Sequence, residues 1–267
     1  MKYMDWYKTE ENLYTNDGNK IKVLCLDSQD NDEILDEWAM HFRENYCSLD
    51  DLDFDRHGTG KTREEFLEND VFPDKKIKPG PSTRVGDFCE LLLADYIEFI
   101  CDYYVPRTRY CRKINRNMSS PGSDVIGFKS GPDISPKDEV FVIEVKGLAN
   151  SKSRIKGYER LQKAIDDSNK DITRYSESLN AIKRRLKDAG EKDKISLIER
   201  FQNYADRPCV VKYGASAVLT NSKFIAEEMI YTKTEQHKEK PLELIVIHNQ
   251  DLKKLIDELY RRAAKCC

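Results

Sequence analysis

Apolar positions alternate through residues 20–27, where Ile21, Val23, Leu24 and Leu26 follow the period of a half-buried strand. The period then changes. Ile34, Leu35, Trp38, Ala39 and Phe42 recur at helical spacing behind Asn31 or Asp32, either of which can cap a helix running to about Tyr46. Residues 48–81 are acidic and loop-like and end in Lys78-Pro79-Gly80-Pro81, which predicts a boundary between an N-terminal α/β region, residues 1–80, and a main domain, residues 81–267. In the main domain, residues 84–101 form a strongly apolar helix and residues 103–112 read as a strand with alternating basic positions. Two strand-like runs at 123–129 and 139–146 flank a Gly/Pro-rich turn. A long helical region at 151–204 has expected breaks near Asn169-Lys170-Asp171 and Ala189-Gly190. Strands at 213–220 and 242–248 and an amphipathic helix at 249–263 close the chain. This order, without internal repeats, predicts an α/β core around a mixed sheet.

Composition narrows the class. Of the 267 residues, 39% are hydrophobic and 35% charged, which excludes collagen, low-complexity disorder and a disulfide scaffold. No run approaches 18 uncharged apolar residues, so no membrane span is expected, and the first residues lack the apolar core of a signal peptide. A cytoplasmic location with reduced thiols follows as the expectation. The eight cysteines form no Cys-x-x-Cys pair and no His stands at finger spacing, which argues against a structural zinc site.

The net charge of −3 conceals an asymmetry: residues 1–104 carry 12 basic against 25 acidic side chains, and residues 105–212 carry 24 against 15. The basic middle third is compatible with a nucleic-acid partner, and the acidic first third with a regulatory or partner-docking role.

Two apparent motifs fail on their chemistry. His57-Gly58-Thr59-Gly60-Lys61-Thr62 has the end of a phosphate loop, but Asp55 stands where its first Gly belongs. Asp51, Asp53 and Asp55 have calcium-loop spacing, but Arg56 replaces the turn Gly and Thr62 the bidentate Glu.

The informative stretch is Val140-Phe141-Val142-Ile143-Glu144-Val145-Lys146. Its apolar run predicts a strand covered on both faces, and the twofold period places Glu144 and Lys146 on one of them. A carboxylate and an ammonium at the end of a buried strand need partners or a task. Centring the turn of residues 130–138 on Ile134 sets Asp124 opposite Glu144, whereas Asp133, in a literal Pro-Asp dipeptide, falls at the hairpin tip roughly 30 Å away at strand rise. On the helix of residues 84–101, Arg84, Asp87, Asp95, Glu98 and Asp102 share a polar stripe, while Glu90 stands toward the apolar side with Leu93 and Ile97. Glu90 either pairs with a buried basic residue or joins Asp124 and Glu144 around a cation.

Glu90, Asp124 and Glu144-Val145-Lys146 resemble the PD-(D/E)xK nuclease superfamily, although Ser123 rather than Pro precedes Asp124. More narrowly, Gly86-Asp87-Phe88-Cys89-Glu90 with the apolar run that follows, and Ser120-Pro121-Gly122-Ser123-Asp124-Val125, resemble the HamA family, nuclease subunits of the Hachiman anti-phage defence system. The resemblance implies a restriction-endonuclease-like core and a Mg²⁺-dependent DNase, with Mn²⁺ able to substitute, controlled by the superfamily-2 helicase HamB. Carried over, Glu90, Asp124, Glu144 and the carbonyl of Val145 would ligate metal, and Lys146 would position water. Arg112, Lys113, Arg116, Lys152, Arg154 and Lys156 are the candidate contacts to the DNA backbone, with little sequence specificity expected. The alternatives are a stand-alone restriction-like endonuclease and an inactive DNA-binding or scaffolding subunit.

Overall fold

The computed structural model describes residues 1–111 and 113–266. Seven strands form one mixed sheet: β1 (Tyr7–Thr9), β2 (Leu13–Tyr14), β3 (Lys20–Leu26), β4 (Val125–Lys129), β5 (Glu139–Leu148), β6 (Val210–Thr220) and β7 (Leu242–Asn249). The spatial order is β1-β3-β7-β6-β5-β4, with β2 also paired to β3. Strands β3, β7, β6 and β5 run parallel, and β1, β2 and β4 are antiparallel to their neighbours. Helices α1 (Asp32–Glu44), α4 (Gly80–Phe99) and α7 (Leu252–Lys265) cover one face; α5 (Gly157–Asp188) and α6 (Lys192–Arg200) cover the other. Strand β5 divides its side chains accordingly. Phe141, Ile143 and Val145 enter the core under α4, and Val140 and Val142 the core under α5. Burial on both faces is why this strand reads as an unbroken apolar run.

The N-terminal region differs from its expected form in two ways. Residues 48–72 are largely helical, with α2 (Leu49–Arg56), α3 (Arg63–Phe66) and a π turn at Leu67–Val71. Ser48 caps α2, and Thr62 with Glu65 forms a capping box on α3, so acids that read as loop are first-turn residues at positively polarised helix ends. The phosphate-loop lookalike therefore ends in a helix cap, and Asp53 of the calcium-loop lookalike is engaged by Arg56 and Arg63. Second, residues 1–80 have no separate core: β1, β2 and β3 extend the common sheet, and Tyr3, Trp38, Phe42 and Phe72 pack in one cluster with Phe88, Ile247 and Tyr260. The boundary expected at residue 80 coincides with the start of α4.

Two further expectations change. Residues 103–112 make only the Tyr104–Phe128 bridge to the sheet among the described residues, because Arg107 and Arg109 turn to carboxylates on α4. Helix α5 runs unbroken through Asn169-Lys170-Asp171, where Lys163 and Lys170 both pair with Asp167 along its surface.

Candidate active site

The β4–β5 hairpin has the register anticipated from its turn: Val125 pairs with Ile143, so Asp124, one residue ahead of β4, comes opposite Glu144. Asp124 is fixed at both oxygens. Its Oδ2 accepts the Val145 backbone N–H at 3.0 Å, and its Oδ1 accepts from Arg109 at 2.7 Å. Glu144 and Lys146 leave β5 on the α5 face and pair with each other, and Lys146 Nζ lies 3.4 Å from Asp167 of α5.

Glu90 reaches the same place from the other face of the sheet. Helix α4 comes close because residue 147 of β5 is Gly; a Cβ there would sit 2.5 Å from Cys89 Sγ and 2.9 Å from Val85 Cγ1. Glu90 Oε2 accepts from Arg109 Nε at 2.8 Å and from the Tyr110 hydroxyl. Arg109 therefore bridges Glu90 and Asp124, and it also donates to the carbonyls of Gly122 (3.2 Å) and Ser123 (2.6 Å). With this guanidinium between them, Glu90, Asp124 and Glu144 do not bring three carboxylate oxygens within 4.8 Å of one another.

A fourth carboxylate, missed in the sequence, faces the group from α5. Asp171 is 1% exposed, and neither of its oxygens makes a hydrogen bond of normal geometry. It follows Ala164 and Ser168 on the buried stripe of α5, the same signal that singled out Glu90, but the expected helix break at 169–171 hid it.

The electrostatics express burial and the crowding of carboxyl groups. Burial pushes the Glu144 carboxyl up to about 8, with Asp124 adding to the shift and Lys146 opposing it. Burial raises Glu90 to about 7 against the pull of Arg109, with Asp124 and Asp87 adding. Burial likewise raises Asp171 to about 6, although the nearby Ser123 hydroxyl works the other way. Lys146 is held above its ordinary value despite burial, because Asp124 and Glu144 favour its charged form. Glu90, Asp124 and Glu144 thus line a cleft of about 860 Å³ together with Arg109 and Lys146, and the charge of the buried Asp171 bears on Glu144 and is in turn affected by Asp124. The donors are all hard oxygens, the set that suits Mg²⁺ or Mn²⁺.

The basic residues divide by task. Lys75, Arg84, Arg160, Arg174 and Lys253, which sequence reasoning did not select, line the cleft. Lys152 and Arg154 are exposed beyond the end of β5, and Lys156 is exposed with an ion pair to Glu228 at 2.7 Å. The side chain of Lys113 is turned inward and pairs with Asp87 at 2.6 Å. Arg116 ties down the 68–74 segment through the carbonyls of Glu68 and Phe72 and the carboxylate of Asp74. Arg112 lies outside the described residues. Two residues of the polar stripe of α4 prove to be buried: Asp87 also accepts from Tyr46, and Asp95 is enclosed by Tyr3, His41 and Arg107, whereas Asp102 lies past the helix end and is exposed.

A family model described as HamA matches residues 1–263. None of the curated proteins compared with the chain matches it. No described helix is long and apolar enough to cross a membrane.

Proposed function

The chain belongs to the HamA family, a component of the Hachiman anti-phage defence system, and from that premise we propose that it is the nuclease of the system, a Mg²⁺-dependent DNase working with a superfamily-2 helicase. The observation that carries this reading is the Asp124–Glu144 pair across the hairpin, with Lys146 two residues along, in a cleft where Glu90, Asp124 and Glu144 share Arg109 and Lys146 as their paired cations. Glu90, Asp124, Glu144 and the Val145 carbonyl would hold the cation, with Mn²⁺ able to substitute, and Asp171, whose charge bears on Glu144, would add a further oxygen. Bound there, the ion lowers the pKa of water and polarises a phosphodiester.

The other roles belong to the protein's own groups. Lys146 orients the attacking water and balances the charge that develops on phosphate. Asp124, clamped by the Val145 N–H, keeps its second oxygen directed at Arg109 and hence toward Glu90. Arg160, Arg174 and Lys253 along the cleft, with Lys152, Arg154 and Lys156 in the exposed segment that follows β5, would hold backbone phosphates, which positions DNA without reading bases. Arg109 is already bonded to two of the carboxylates, so metal must share or displace it. That contact also favours a second reading, a DNA-binding subunit whose centre is permanently closed by Arg109.

One experiment separates the two. The chain is incubated with DNA, Mg²⁺, ATP and the helicase of its own system. Wild-type protein degrades the DNA, and Lys146→Ala loses about 10²–10³-fold of the rate, the range for removing one donor that stabilises developing charge. Intact DNA with the wild type, or equal cleavage by Lys146→Ala, refutes the proposal.

A further inference from the structure

On the sheet edge opposite the cleft, Glu10, Cys25 and His248 each present one ligand atom, and the three atoms lie within 4.8 Å of one another. The fold imposes this meeting. Cys25 and His248 are register partners in the parallel pair β3–β7, so their side chains leave on one face. Glu10 directly follows β1 and bonds the Val23 carbonyl through its N–H, which sets it beside β3 two positions from Cys25 and on the same face. Three ligands from three adjacent strands are thus held on a rigid frame.

The hydrogen bonds around His248 leave its second nitrogen without a donor of its own. Asn221 Nδ2 donates to Gln250 Oε1 at 3.0 Å, which turns Asn221 Oδ1 toward His248 Nδ1 at 2.8 Å. Since Oδ1 accepts, Nδ1 carries the proton of the neutral ring, and Nε2 presents a lone pair. Yet Nε2 stands 3.0 Å from the Glu10 carboxylate. Nε2 and the carboxylate thus converge on one point, beside the Cys25 sulfur, where a metal ion can be shared between them. The ring cannot swing away, because it stacks on Phe224 with centroids 4.3 Å apart and planes inclined by 8°. An imidazole oriented by an amide oxygen, with its other nitrogen directed at a thiol and a carboxylate, is the arrangement of a metal-bound histidine. The neighbouring Lys8 and Asp27 are paired with each other and do not fill it.

We propose that Glu10, Cys25 and His248 form a binding site for a transition-metal ion of the zinc class, distinct from the nuclease centre. Thiolate, imidazole and carboxylate together suit Zn²⁺ and disfavour Mg²⁺, so the two sites take different ions. Zinc bonds of about 2.0–2.3 Å place tetrahedral donors on the order of 3.5 Å apart; His248 Nε2 and Glu10 Oε2 stand at 3.0 Å, and all three ligand atoms lie within 4.8 Å of one another. Cys25 gives its thiol proton to solvent as the sulfur–metal bond forms. Glu10 is exposed while His248 is buried, so the fourth position opens to solvent on the Glu10 side. The ion would pin the short edge strand β1 to β3 and β7. Sequence spacing argued against zinc because the ligands are 15 and 223 residues apart, joined only by strand order.

The test uses the untagged full chain, stripped with chelator and titrated with Co²⁺ while the thiolate-to-cobalt charge-transfer absorption is followed. Zinc content is measured separately after dialysis. The expected result is a thiolate band that saturates at one equivalent of the cobalt held by sulfur, whatever the carboxylate cleft also binds, with the band abolished in Cys25→Ser and the affinity read from it lowered in the exposed variant Glu10→Gln. Asn221→Ala retains the band with about 10–100-fold weaker binding, the usual effect of losing a partner that orients a ligand. Glu144→Gln, in the cleft, leaves the thiolate band and its midpoint as in wild type. Circular dichroism confirms that each variant is folded. A wild-type chain without the band at saturating Co²⁺, or a band that survives in Cys25→Ser, overturns the proposal.

Discussion

Replacing Arg109 by Met keeps an aliphatic stem in the loop and removes the guanidinium that bridges Glu90 and Asp124. The side chain is 13% exposed, and the two carboxylates it holds are each 10% exposed, so the deletion leaves buried acids without their shared cation. Breaking a buried ion pair from one side costs about 3–5 kcal/mol. At about 2–4 °C per kcal/mol for a chain of this size, Tm should fall by about 6–20 °C in EDTA at pH 8. The loss should be smaller at pH 6, because Glu90, already raised to about 7 and freed from the pull of Arg109, takes up a proton instead. Mg²⁺ should then stabilise the variant more than the wild type, since it no longer competes with Arg109 for the same oxygens; at a hundred times Kd the gain is about 2.7 kcal/mol. Differential scanning calorimetry in EDTA and in Mg²⁺ reads both quantities. A variant that melts within about 2 °C of wild type in EDTA, or gains no more from Mg²⁺ than wild type does, refutes the assignment of the cation site to these carboxylates.

Other consequences follow from the same charge balance. Glu90 and Glu144 bind their protons more tightly in the folded chain, at about 7 and 8, than a carboxyl at its ordinary value near 4.3. Their contribution to stability is therefore complete below about pH 4.3 and is lost as pH rises to 8, so Tm in EDTA should decline over pH 5–8. Saturating Mg²⁺ should flatten that decline, and a Tm that rises with pH in EDTA would contradict it. Asp171→Asn removes one of the crowded charges, so it should raise Tm without metal and shrink the Mg²⁺-induced shift. The opposite pair of changes would show that Asp171 has no part in the cation site.

What could be read in advance was whatever rests on local period. The apolar run of β5 identified a strand buried on both faces, the length of the hairpin turn fixed the register of Asp124 against Glu144, and a helical wheel isolated Glu90. What stayed hidden depends on partners distant in the chain. The wheel of α4 separates Asp87 and Asp95 from the apolar face, but nothing local says that Tyr3, His41, Tyr46 and Lys113 will cover them. Arg107 and Arg109 alternate as a strand would, yet their alternation serves four carboxylates, Glu98, Asp95, Glu90 and Asp124. Asp171 was lost because Asn-Lys-Asp resembles a helix break when the pairing of Lys163 and Lys170 with Asp167 is not in view. Nor does a wheel reveal that Glu90 and Glu144 arrive from opposite faces of the sheet, so that Asp124, at the start of the outermost strand, must join them.

The most direct test is to locate Mn²⁺ by anomalous scattering in crystals of the full chain. The account predicts a peak bounded by Asp124, Glu144 and the Val145 carbonyl, with Glu90 turned toward it and Arg109 released from at least one of its carboxylates. Saturating Mn²⁺ with no peak there, and Arg109 still bonded to both Glu90 and Asp124, would contradict it.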